Sequence, residues 1–128
     1  MPTRLPATPR KPRFIYRGRI YVLELDPAVL EEPKFTAQNP GCGKDRGLGC
    51  LYVGSTHDVD KRIRIHRFGP GPGDNPKVRG SGLVKKYFLG RRHDLEPSDE
   101  YLTSGHATLA EALEAEFLRD AGYRVYSN

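Results

Sequence analysis

Cysteine is scarce in this 128-residue chain, with only Cys42 and Cys50. Two thiols make no disulfide framework. A zinc site needs two further ligands, and His57, His66, His93 or His106 would supply them only if the chain folded back. The pair therefore reads as ordinary reduced thiols in the glycine-rich stretch GCGKDRGLGC. Long apolar runs are also missing. Nothing approaches the roughly 18 consecutive apolar residues of a membrane helix, and the opening MPTRLPATPRKPRFIYRGR lacks the apolar centre of a secretory signal. These absences set the expectation of a soluble, intracellular, cytoplasmic protein without a membrane partner. No internal repeat, zinc finger or helix-turn-helix pattern is present. The length fits one domain, able to bury a real though small core.

Acidic residues are absent from one region: none precedes Glu24. Arg4, Arg10, Lys11, Arg13, Arg17 and Arg19 come first, and without those six the rest of the chain carries 15 basic against 16 acidic residues. The net charge of +5 thus comes from residues 1–18 and the first strand position beyond them. Pro2, Pro6, Pro9 and Pro12 deny this arm a helix. A flexible basic arm suits a phosphate backbone; it serves equally as a solubilising terminus.

What is present reads as one α+β domain over residues 19–128. RIYVLELD (19–26) and CLYVGS (50–55) read as strands, most simply paired antiparallel. Between them, 27–49 reads as an insertion with a helical turn near Ala28–Glu32. Asp58 is placed to cap a short helix over about 59–67, stopped by Gly69 and Pro70. SGLVKKYFL (81–89) reads as a second helix, and RRHDLEPSDEYL as a connection. From about Ser104 to Ala121 the pattern is helical, capped by Thr103 or Ser104. Its apolar stripe is expected at Ala107, Ala110, Leu113, Phe117, Leu118 and Ala121. YRVYSN then returns as a strand.

On the helix after the second strand, Val59, Arg62, Ile63 and His66 share one face, while Lys61 and Arg64 point elsewhere. An arginine that can fork a phosphate and a histidine that titrates near neutrality thus face the sheet. Tyr52 lies just before the turn, where its hydroxyl can meet both. The plain alternative is packing tyrosines and a snorkelling arginine.

Tyr52-Val53-Gly54, with Arg62 ten residues and His66 fourteen residues after the tyrosine, resembles the second half of the GIY-YIG nuclease signature. Arg19-Ile20-Tyr21 resembles the first half, with arginine where the family often has glycine. Ser81 to Tyr87, Leu118-Arg119, Gly122-Tyr123, Val125 and Asn128 extend the resemblance to small stand-alone bacterial GIY-YIG domains. It covers about residues 19–128. The resemblance implies a small three-stranded antiparallel sheet flanked by helices and a metal-dependent endonuclease using one Mg²⁺ (or Mn²⁺). Tyr21 or Tyr52 would deprotonate or orient the attacking water, and His66 would accept a proton from the tyrosine. Arg62 would stabilise the phosphate. A helix glutamate would hold the metal: Glu111, or Glu114 on a register that follows Phe117 and Leu118. Ser55 and Thr56 could contact a phosphate, or simply suit a loop. The implied partner is nucleic acid, DNA before RNA, with Lys85, Lys86, Arg13 and Arg17 as backbone contacts. A non-cleaving nucleic-acid-binding module and a protein-interaction domain are the alternatives.

Overall fold

The computed structural model describes residues 15–128; Arg13 and most of the basic arm lie outside them. The chain opens with β1 (Gly18–Leu25), a 3-10 turn (Pro27–Glu31) and the short α1 (Pro33–Ala37). Then come β2 (Cys50–Thr56), α2 (Val59–Phe68), α3 (Gly82–Tyr87), β3 (Phe88–Arg91) and a 3-10 turn (His93–Leu95). It ends with β4 (Glu100–Tyr101), α4 (Ser104–Asp120) and β5 (Arg124–Ser127).

The sheet corrects the expectation of three antiparallel strands. Among the described residues it has five strands, in the order β3-β1-β2-β5 with β4 also on β1, and it is mixed. β1 and β2 pair antiparallel as expected, Leu25 opposite Cys50 and Tyr21 opposite Gly54. β5 runs parallel to β2, Leu51 opposite Val125. The cause lies at the end of α4: Leu48 N–H donates to the Gly122 carbonyl at 3.0 Å, and Arg124 N–H to the Gly49 carbonyl at 2.9 Å. These bonds pin the helix exit beside the start of β2, so the last strand sets out in the same direction. The extra strands come from segments read as helix and connection. The helix expected over 81–89 stops at Tyr87, and Phe88–Arg91 pairs antiparallel with β1. The two-residue β4 pairs with Gly18 and Arg19. Between them Glu96 holds the ladder closed, accepting from Val22 N–H at 3.0 Å and from the Arg91 fork at 2.8 and 2.9 Å.

β1 and β2 are apolar on both faces, which makes them the centre of two cores. Tyr21, Leu23 and Leu25 join Cys50, Tyr52, Leu83, Val84 and Tyr87 on one face. Ile20, Val22, Leu51 and Val53 join Val125, Ala115 and Leu118 of α4 on the other. The 27–49 stretch feeds the first core through Val29, Leu30 and Phe35, each burial contributing about 1.5–3 kcal/mol.

The face that α4 turns inward also differs from expectation. Its buried residues are Ala107, Glu111, Ala115 and Leu118. Leu113 and Phe117, expected in the stripe, are 58 % and 66 % exposed, in line with the exposed Leu109. Small alanines let the helix lie close to β2, and this choice brings a glutamate to the inner surface.

Candidate active site

β1 and β2 present Tyr21 and Tyr52 to the same side of the sheet, both almost wholly buried. Tyr21 lies across Gly54, its partner in the strand register. A Cβ at residue 54 would collide with the Tyr21 hydroxyl, so only glycine permits this approach. α2 starts four residues after Ser55. Asp58 caps it by accepting from Lys61 N–H at 3.2 Å, which fixes where its inner face falls. His66 on that face is 1 % exposed. Its ring lies 5.1 Å from the Tyr52 ring, edge-on, and 6.0 Å from Tyr21.

The hydrogen bonds assign the His66 tautomer. Ser81 N–H donates to Nδ1 at 2.7 Å, so Nδ1 carries no proton. The neutral ring then bears its hydrogen on Nε2 and donates it to the Tyr21 hydroxyl oxygen at 2.7 Å. Burial, with the Arg62 charge adding to it, pushes the His66 pKa down to about 4, so the ring is neutral at physiological pH. This close fit of α2 against the start of α3 depends on Gly80, where a Cβ would press on the His66 and Ile65 backbone.

Tyr52 lies beside Tyr21, ring centroids 6.2 Å apart, and accepts from Asn128 Nδ2 at 2.7 Å. Burial raises both phenols, Tyr52 to about 12 and Tyr21 higher; the Arg62 charge opposes the rise, and the Glu111 charge adds to it. Arg62 is half-buried, and among the described residues it forms no ion pair. Its neighbours Lys61 and Arg64 are instead bound to Asp74, at 3.5 and 3.0 Å. Of the four cations of α2, Lys61 and Arg64 are thus neutralised, Arg67 lies over the Phe68 and Phe88 rings, and Arg62 faces the phenols.

Glu111 reaches the same end of the sheet from α4. It is 6 % exposed and accepts from the Ser55 hydroxyl at 2.8 Å, and from the Ser55 and Asn128 backbone N–H groups. Burial raises its pKa; those bonds and Arg62 oppose the rise. Asn128 touches both halves of the site, side chain on Tyr52 and backbone on Glu111. Glu114, the other candidate glutamate, is outside this group. Its pKa is raised by partial burial and by Asp99.

The structure therefore brings Tyr21, Tyr52, Arg62, His66 and Glu111 together and leaves Glu114 out. Lys85 and Lys86 are exposed on α3. Lys86 sits 3.3 Å from Glu32 and over the Tyr87 ring. Arg17 is exposed just before β1. Tyr16 is a site residue that spacing did not single out: it lines one cleft with Ser55 and Arg62 and feels the Glu111 charge. The Ser81 amide was equally invisible, since a backbone group leaves no mark in the sequence.

As a metal ligand set the site is spare. Among the described residues no three of His, Cys, Asp and Glu form a group able to hold an ion. Glu111 alone fits a Mg²⁺, which keeps several waters and commonly takes one or two carboxylates plus substrate phosphate oxygens. No helix among the described residues is long and apolar enough to cross a membrane. In comparisons with known proteins, no family model, no curated protein and no solved structure matches the chain.

Proposed function

We propose that this chain is a GIY-YIG-type phosphodiester hydrolase that cuts nucleic acid, DNA first, with one divalent cation, Mg²⁺ or Mn²⁺. What supports the reading is the Arg62 guanidinium, without an ion pair among the described residues, whose charge bears on Tyr21, Tyr52 and Glu111 together. A half-buried cation with no carboxylate partner is poised for an external anion, and arginine matches a phosphate with a two-pronged fork. Glu111 would hold the cation, which when bound cancels the carboxylate charge that raises both phenols and places positive charge on phosphoryl oxygens.

The protein groups divide the remaining work. Tyr52 is the phenol that accepts from Asn128 Nδ2 at 2.7 Å, and the Arg62 charge opposes the rise of its pKa. That arrangement favours a phenolate, the form able to take a proton from an attacking water. Tyr21 and His66 act behind it as donors. Arg62 stabilises charge as it grows on the phosphate. Burial of the phenols opposes the phenolate, so the uncatalysed resting state is the neutral phenol.

Incubation of purified protein with plain, branched and flapped DNA, with Mg²⁺ and with EDTA, tests the reading. Mg²⁺-dependent strand scission is the expected result, with a loss of about 10²–10³ for Arg62→Ala. Absence of cutting on every substrate, with wild type and Arg62→Ala alike, removes the enzyme reading. DNA binding without cutting, unaffected by Glu111→Gln, would favour the non-cleaving module instead.

A further inference from the structure

A cleft of about 360 Å³ adjoins the site, sharing Arg62, Ser55 and Tyr16 with it. It lies at the small end of the roughly 300–1,000 Å³ range of ligand pockets. We infer that this cleft takes a single unpaired nucleobase of the nucleic-acid strand whose phosphate Arg62 holds, a base bearing an exocyclic amine. The inference rests on the nuclease reading of the adjoining site.

Three features of the cleft point to a base rather than to a second phosphate. Tyr16 and His57 stand at its wall with rings 6.0 Å apart and tilted by 59°, offering aromatic faces of the kind on which bases stack. Ile65 and Val78 supply apolar wall below them. Asp74 in the wall is already paired with Lys61 and Arg64. Asp58 contributes a carboxylate oxygen that can accept from a base amine, as carboxylates do from cytosine N4. Asp74 is fixed in place by Arg64 and by Gly71 N–H at 2.8 Å, and one oxygen of Asp58 is spent capping α2. Arg62 lines the cleft and its charge also bears on Tyr21, so one side chain joins base pocket to phosphate site. A base in a paired duplex cannot enter without leaving the stack, and the cost of leaving is least where the base is already unpaired.

Fluorescence anisotropy in EDTA, where no cutting enters the readout, tests this. The probes are a labelled duplex, the same duplex carrying one unpaired adenine, and the same with unpaired thymine. The expected result is at least about tenfold tighter binding of the adenine probe than of the plain duplex, with thymine between them. Val78→Trp, which fills the cleft, should bring the adenine preference below about twofold. Equal binding of all three probes by wild type overturns the pocket while leaving the nuclease reading intact, and that comparison stands even if Val78→Trp does not fold. Binding of none of them at low salt removes the nucleic-acid reading itself, and the pocket with it. Adenosine monophosphate in competition separates a free nucleotide from a base in a strand: displacement of the adenine probe at micromolar concentration overturns the strand assignment.

Discussion

His66 receives a backbone N–H on one ring nitrogen and gives its own proton from the other. It is therefore a donor to Tyr21 and has no free lone pair with which to act as a base. A glutamine can donate in the same way but cannot accept a proton. His66→Gln should thus retain cleavage within about tenfold of wild type, while His66→Ala loses about 10²-fold. Equal loss in both would restore the proton-acceptor role, and ¹⁵N NMR of the ring should show Nε2–H from about pH 5 to 8. The same burial has a stability consequence. The His66 pKa falls from 6.5 in the unfolded chain to about 4 in the fold. Between those values the unfolded state binds more protons. Stability is therefore full above about pH 6.5 and drains as pH falls toward 4, by on the order of 3 kcal/mol for this group. Urea melts of wild type and His66→Gln across about pH 4–7 should show that slope in wild type and a shallower one in the variant. Tyr52, Arg62 and His66 were legible from spacing because a strand, a cap and i, i+4 geometry fix their directions. Ser81 was not, because the group it uses is its backbone.

At the scale of elements, α4 decides which glutamate matters. The sequence pattern put Leu113 and Phe117 inside, since large apolar residues normally mark the core face. The helix instead lies on β2, β5 and β1 through Ala107, Ala115 and Leu118, and Glu111 falls in the middle of that face. The small residues carried the signal, and the exposed Leu109, Leu113 and Phe117 masked it. The strand count was lost for a different reason. Phe88–Arg91 follows a helix without a turn signal, and β4 is two residues long; their strand state comes from β1 needing a partner along its second edge. The fit between elements gives its own prediction. Gly54 and Gly80 are the points where β2 admits Tyr21 and α3 approaches α2. Gly54→Ala and Gly80→Ala should each cost about 1–3 kcal/mol by overpacking. Gly80→Ala should further disturb the His66 ¹⁵N signals. Melting temperatures equal to wild type would show that the close approaches are not needed.

For the whole molecule, charge and site lie in different parts of the chain. The excess of basic residues sits before Glu24, while the rest of the chain is nearly neutral. Affinity for DNA should therefore fall steeply with salt in the full chain. Removal of residues 1–14 should flatten the slope of log K against log salt by about 0.9 for each phosphate that the arm neutralises. An unchanged slope would assign the phosphate contacts to residues 15–128. Chemistry at Tyr21, Tyr52, Arg62, His66 and Glu111 is tested by the single-turnover cleavage rate of end-labelled flapped DNA in Mg²⁺ for wild type and Glu111→Gln, with both proteins shown to be folded and to bind that DNA equally. Cleavage by wild type is expected, with at least about a 10²-fold slower rate for Glu111→Gln. Cleavage at the wild-type rate by Glu111→Gln would contradict that chemistry.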